Sequence, residues 1–242
     1  MEERNKRNDL NVAGISQTAG GNFHRVSIDG MAKVNGNLDC TSMEVNGTLK
    51  MHGALTSESV AINGMCTLNG PLTSSRVRVD GMTTINGDLH SPELEVNGKC
   101  TVRGRVDGER IDIGGVIDIE GDVQCESLNV RGNIKISGLL NAGTVEIRLH
   151  TSSSAKEIGG ERIDIRRKEQ QNGFWKSIGL GGTPSFKTSL IEGDEIVLED
   201  TEADIVRGSN ILIGRGCNIR LVEYSGELEV DQDAKVGSSQ RI

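Results

Sequence analysis

Residues 60–76 read Val60-Ala61-Ile62-Asn63-Gly64-Met65-Cys66-Thr67-Leu68-Asn69-Gly70-Pro71-Leu72-Thr73-Ser74-Ser75-Arg76, and Val77 starts the same pattern again. The pair Val60-x-Ile62 is one of eight apolar-x-apolar pairs that recur at every seventeenth position without a slip. The first members are Val26, Met43, Val60, Val77, Leu94, Ile111, Leu128 and Val145. The second members are Ile28, Val45, Ile62, Val79, Val96, Ile113, Val130 and Ile147. All are aliphatic or Met, and a fixed period of this kind marks a repeat architecture.

Glycine keeps step with the pairs. Gly30, Gly47, Gly64, Gly81, Gly98, Gly115 and Gly132 hold the fifth position, and Gly36, Gly53, Gly70, Gly87, Gly104, Gly121 and Gly138 the eleventh. Fourteen of the 32 glycines thus sit at two phases, which excludes a random flexible linker. Dipeptides such as Asn46-Gly47 and Asp80-Gly81 suit corners, where glycine is expected to supply positive φ. Between the corners lie apolar ladders at the ninth position (Val34, Met51, Leu68, Ile85) and the thirteenth (Leu38, Leu55, Leu72, Leu89). One unit therefore reads as three short strands with inward apolar residues alternating with polar ones. Such a unit buries nothing alone. Stacked coil on coil, it predicts an all-β parallel β-helix of about 17 residues per triangular coil around a narrow aliphatic core.

Composition agrees. Phe, Trp and Tyr reach only 2% of the chain, as expected where a narrow core has little room for rings. The net charge of -8 argues against binding nucleic acid non-specifically. The charged start, Met1 to Asp9, lacks the apolar stretch of a signal peptide, and five cysteines without an export signal point to a reducing cytoplasm.

The period predicts a disordered tail over 1–22, a main β-helix over 23–165, an excursion over 166–190, degenerate coils over 191–237 and a short tail over 238–242. Later pairs carry the repeat in altered phase: Ile163-x-Ile165, Ile196-x-Leu198, Ile211-x-Ile213 and Leu228-x-Val230.

The units Val60-Ala61-Ile62-Asn63-Gly64 and Leu68-Asn69-Gly70-Pro71-Leu72 resemble those of bactofilins, bacterial polymer-forming cytoskeletal proteins. The stretch from Val145 through Glu157-Ile158-Gly159-Gly160-Glu161-Arg162-Ile163 resembles the end of that core in Gram-positive relatives. The resemblance implies a right-handed helix, a hand that general chirality also favours. It further implies end-to-end polymerisation without nucleotide, and a scaffolding role in cell shape, cell-wall growth, motility or chromosome positioning. Other bactofilin-like proteins are then expected partners beside the chain itself. Some relatives carry an apolar membrane anchor at the N-terminus, whereas this start is charged.

An uncapped end of a β-helix exposes strand edges and is a template for another copy. Phe23, Val26 and Ile28 at one end, with Leu228 and Val230 at the other, are the expected end contacts. Little else reads as a site. Cys66 and Cys100 share a repeat position two coils apart, too far for a disulfide, and serve as small apolar fillers. His24, His52, His90 and His150 stand at unrelated phases, which speaks against a metal centre. The outward second position (Ser27, Glu44, Ala61, Arg78, Glu95, Asp112) is a mixed, solvated ladder without a catalytic cluster. No enzyme, cofactor or small-molecule substrate is expected. The least ordinary segment runs from Arg166 to Ser189, with five basic residues against one acidic. Arg166, Arg167, Lys168, Phe174, Trp175 and Lys176 have the composition of a contact with an anionic membrane surface, such as the inner face of the cell membrane, and would equally suit a partner or packing on the coils. Two rival readings remain. One is a non-polymeric adaptor docking through 166–190; the other is a degenerate hexapeptide-type acyltransferase, whose strict six-residue pattern would make each coil one position longer than the repeat seen here.

Overall fold

The computed structural model describes residues 7–167 and 184–242, which form parallel β-solenoids without helix. The chain divides into two compact units, one ending at Gly121 and the other beginning at Asp122.

In the first unit every strand pairs in parallel with the strand one turn away. One ladder runs Leu10, Val26, Met43, Val60, Val77, Leu94 and Ile111. A second stacks Val34, Met51, Leu68, Ile85, Val102 and Ile119, and a third stacks Leu38, Leu55, Leu72, Leu89 and Val106. From Val26 onward these side chains are buried, so three ladders face one aliphatic core. At the corner after the first ladder, the amides of Asn46 and Gly47 both donate to the Ile28 carbonyl, at 2.8 and 2.9 Å. The Asn46 side chain donates to Asp29 at 2.9 Å and Asn63 to Asn46 at 2.7 Å, a polar ladder up the corner.

The corner glycines have a different cause from the one expected. Gly47, Gly64, Gly81, Gly98 and Gly115 do not adopt positive φ, whereas Gly36 (131°) and Gly53 (138°) do. A Cβ on Gly47, Gly64 or Gly81 would lie 2.0 Å from the carbonyl oxygen of the glycine one turn below. Close stacking of backbone, not left-handed geometry, demands glycine there.

Residues 8–22, expected as a disordered tail, are part of the solenoid. Strands Asn8–Val12 and Ile15–Ile28 add a turn before Val26. Leu10 pairs with Val26 and Val12 with Ile28, so the chain gains ladder bonds where no pair in the regular phase announces them.

The second unit contains the longer strands Asn133–Leu149, Ser153–Arg167, Phe186–Leu198 and Thr201–Ile213. Its first ladder runs Leu128, Val145, Ile163, Ile196, Ile211 and Leu228, so the altered-phase pairs stack directly on the regular ones. Ile163 and Ile196 are adjacent rungs although residues 168–183 intervene in the sequence. The expected excursion over 166–190 is thus shorter: Arg166 and Arg167 end one strand, and the next starts at Phe186. Phe186, counted by composition with the excursion, is fully buried between Ser153 and Thr201 in its ladder, whose small side chains leave room for a ring. The coils expected to end at 237 continue through strand Lys235–Arg241, paired with Asn218–Tyr224 in place of a tail.

Candidate assembly edges

A parallel stack leaves one unpaired edge at each terminus unless something covers it. In the first unit, strand Asn8–Val12 pairs only with Ile15–Ile28, and Ile15 to Ala19 pair only with Met31 to Asn35. Among the described residues, nothing pairs with the outer side of Leu10–Val12 or of Ile15–Ala19. In the second unit, Leu228–Val230 pairs only with Thr201–Ile213, and Lys235–Arg241 only with Asn218–Tyr224. Their outer sides likewise have no partner strand among the described residues.

The expected end contacts distribute unevenly over these edges. Val26 and Ile28 are fully buried beneath Leu10 and Val12, so they belong to the core and the outer edge lies one turn earlier. Phe23 is half-buried, pairs with Asn8 and Cys40, and occupies a column otherwise filled by small residues such as Cys40 and Ser57. Its ring lies 3.4 Å from where a Cβ on Gly21 would stand. Leu228 and Val230 do lie on the final edge, where Val230 is exposed.

The expected docking set divides as well. Lys168, Phe174, Trp175 and Lys176 lie outside the described residues. Arg166 is held by Asp164 at 2.9 Å, and Arg167 by Asp200 at 3.1 Å. Lys187, a third cation of the same stretch, pairs with Glu202 at 2.8 Å. All three charges are matched by carboxylates of the coils.

The outward ladders are ion-paired in the same manner. Arg76 meets Glu93 at 2.6 Å, Arg78 bridges Asp80 and Glu95, and Arg207 joins Glu192 and Glu223. The Arg76 hydrogen bond lowers the Glu93 pKa, and the Arg207 hydrogen bond lowers that of Glu223. A depression of about 490 Å³ in the second unit is lined by Leu139, Leu190, Gly193, Gly208 and Arg207. Its one arginine is engaged by two glutamates. His90 contacts Asp107 at 2.7 Å and His52 lies 3.4 Å from Asn69, each a polar pair on the surface. Among the described residues, no three His, Cys, Asp or Glu are grouped to hold a metal. All five cysteines are buried and none is in a disulfide; burial pushes Cys66 and Cys100 up to about 12.

What distinguishes this molecule is therefore its edges and faces. Residues 61–156 match the family model Bactofilin, described as polymer-forming cytoskeletal. This stretch is a bactofilin domain.

Two proteins of Bacillus subtilis (strain 168) are similar to part of the chain. The uncharacterized protein YhbE is 38% identical over 105 residues, 43% of this chain and 43% of that protein. The uncharacterized protein YhbF is 34% identical over 105 residues, 43% of this chain and 42% of that protein. The chain thus spans less than half the length of these relatives. No solved structure matches it. Both unpaired edges lie outside the stretch matched by the bactofilin model, at residues 8–19 and 228–241. No helix among the described residues is long and apolar enough to cross a membrane.

Proposed function

We propose that this chain is a cytoskeletal scaffold that assembles end to end into filaments and organises cell shape, cell-wall growth, motility or other localised machinery in the cytoplasm. The observation that carries the reading is the pair of strand edges, Leu10–Val12 and Leu228–Val230, each bonded on one side only. Strand addition at such an edge satisfies backbone donors and acceptors and continues an apolar ladder. That free energy comes from hydrogen bonds and burial, so no nucleotide is needed. The polymer-forming description of the matched family supports the same reading. Other bactofilin-like chains are the natural co-polymerising partners, since they offer the same rungs.

Sedimentation tests it. Wild-type chain should pellet at high speed to the same extent with and without ATP or GTP. Leu10→Lys and Val230→Lys, which place charge on the two edges, should leave it in the supernatant. A wild-type chain that stays soluble contradicts the proposal.

The sequence between the two long strands of the second unit supports an accessory role. Lys168, Phe174, Trp175 and Lys176 combine cations with aromatic rings, a composition suited to an anionic membrane surface. Co-sedimentation with anionic vesicles should fall in Phe174→Ala/Trp175→Ala; equal binding by wild type and variant removes the membrane contact.

A further inference from the structure

The outward sixth position of the first unit is not polar. Its column runs Ile15, Met31, Thr48, Met65, Met82, Lys99 and Val116, each residue paired with the next across adjacent turns. Ile15 is 83% exposed, Met31 52%, Met65 50%, Met82 55% and Val116 41%. These are the five exposed large apolar side chains of that unit among the described residues, and all five fall in one column. Seven rungs at the inter-strand spacing make a strip about 29 Å long. The middle of it, at Met65, Thr67, Met82 and Thr84, is a shallow depression of about 260 Å³. The neighbouring face is different in kind. Its outward residues are Arg78, Glu95 and Asp112, tied into ion pairs.

We infer that this methionine-bearing face is a lateral contact with a second copy of the chain, packed antiparallel about a two-fold axis between Met65 and Met82. The residues themselves select that occupant and that direction. A two-fold at this point places Met31 opposite Val116, Met65 opposite Met82, and Thr48 opposite Lys99. The adjacent outward column carries Lys33 near one end and Asp118 at the other. The same operation sets Lys33 of each copy against Asp118 of its neighbour, an opposite-charge pair at both ends. A self-complementary patch of this kind is what a two-fold contact requires. Methionine suits it, being flexible enough to pack against an irregular copy of itself.

The strip is narrower than the ~800 Å² per partner of a standard interface, so an isolated pair is weak. Along a filament the contact repeats, and repetition multiplies a weak contact into firm bundling. That consequence rests on the filament reading; the pairwise contact does not.

Cross-linking separates the two. Faces of packed sheets lie about 10 Å apart, beyond disulfide reach, so a bismaleimide of about that span is the probe. Chain carrying Met31→Cys is mixed with chain of different length carrying Val116→Cys; the native cysteines are all buried and silent. Expected are mixed dimers, with neither variant linking to itself and no linkage between Ser27→Cys and Asp112→Cys on the charged face. Absence of mixed dimers at high chain concentration overturns the lateral contact. Self-linkage of Met31→Cys overturns the antiparallel arrangement. Mixed dimers without filaments would sink the functional reading and spare this one, and filaments without mixed dimers the reverse.

Discussion

A methyl group on Gly64 would lie 2.0 Å from the carbonyl oxygen of Gly47. That oxygen already accepts the amide of Met65 at 2.9 Å, so it points along the stack into the place where a Cβ would project. Gly64→Ala must therefore shift backbone and break the rung. It should cost about 1–3 kcal/mol, the range for overpacking. Gly14, where a Cβ meets nothing within 4 Å, is the control: Gly14→Ala should be neutral or slightly stabilising. Thermal denaturation of the two variants beside wild type decides it.

The buried ring of Phe186 rebuilds the core just after residues 168–183, between Ser153 and Thr201. Truncation to alanine leaves a cavity that two short polar neighbours cannot fill. Phe186→Ala should lose about 3–5 kcal/mol. Because solenoids open rung by rung, hydrogen exchange should show the loss in residues 186–213 first. Uniform exchange across the chain would contradict this.

The cysteines give a test in alkali. Burial pushes Cys66 and Cys100 up to about 12, and Cys217 up to about 11. The folded state keeps these protons while the unfolded thiols, with pKa ~8.5, release theirs. Above that pH the unfolded chain binds fewer protons, so stability falls as pH rises. The urea midpoint should drop from about pH 9 upward under reducing conditions, more steeply in wild type than in Cys66→Ala/Cys100→Ala. Equal slopes would mean the two thiols are not the cause. In the same protein, a thiol reagent at mildly alkaline pH should label none of the five sites until denaturant is added.

The inward ladders are legible in the sequence because burial enforces one period on Val60, Val77, Leu94 and their fellows, and burial tolerates few residue types. Later rungs are legible in kind but not in phase. Ile163 comes one position late after Val145, and Ile211 comes two positions early after Ile196. The first turn is hidden for a related reason. Leu10 stands one position out of phase with Val26, with a register shift beside it, and the turn exposes Ile15 instead of burying it. Glycine positions are legible while their cause is not, because a sequence shows that Cβ is missing and not which atom it would strike. The methionine column is masked by the premise that outward residues are polar. Its signal is nonetheless present in Met31, Met65 and Met82, each five positions beyond an inward Val26, Val60 or Val77. Arg166 and Arg167 look available for docking because composition shows neither that Arg166 pairs with Asp164 two residues back on its own strand nor that stacking brings Asp200 to Arg167.

The central claim is that the single-sided edges at Leu10–Val12 and Leu228–Val230 drive assembly. Negative-stain electron microscopy of the purified, tag-free chain, at near-physiological salt and without nucleotide, tests it most directly. Unbranched filaments in wild type, absent in Leu10→Lys and Val230→Lys, are the predicted result. A field of discrete particles in wild type would contradict the claim and favour a non-polymeric adaptor.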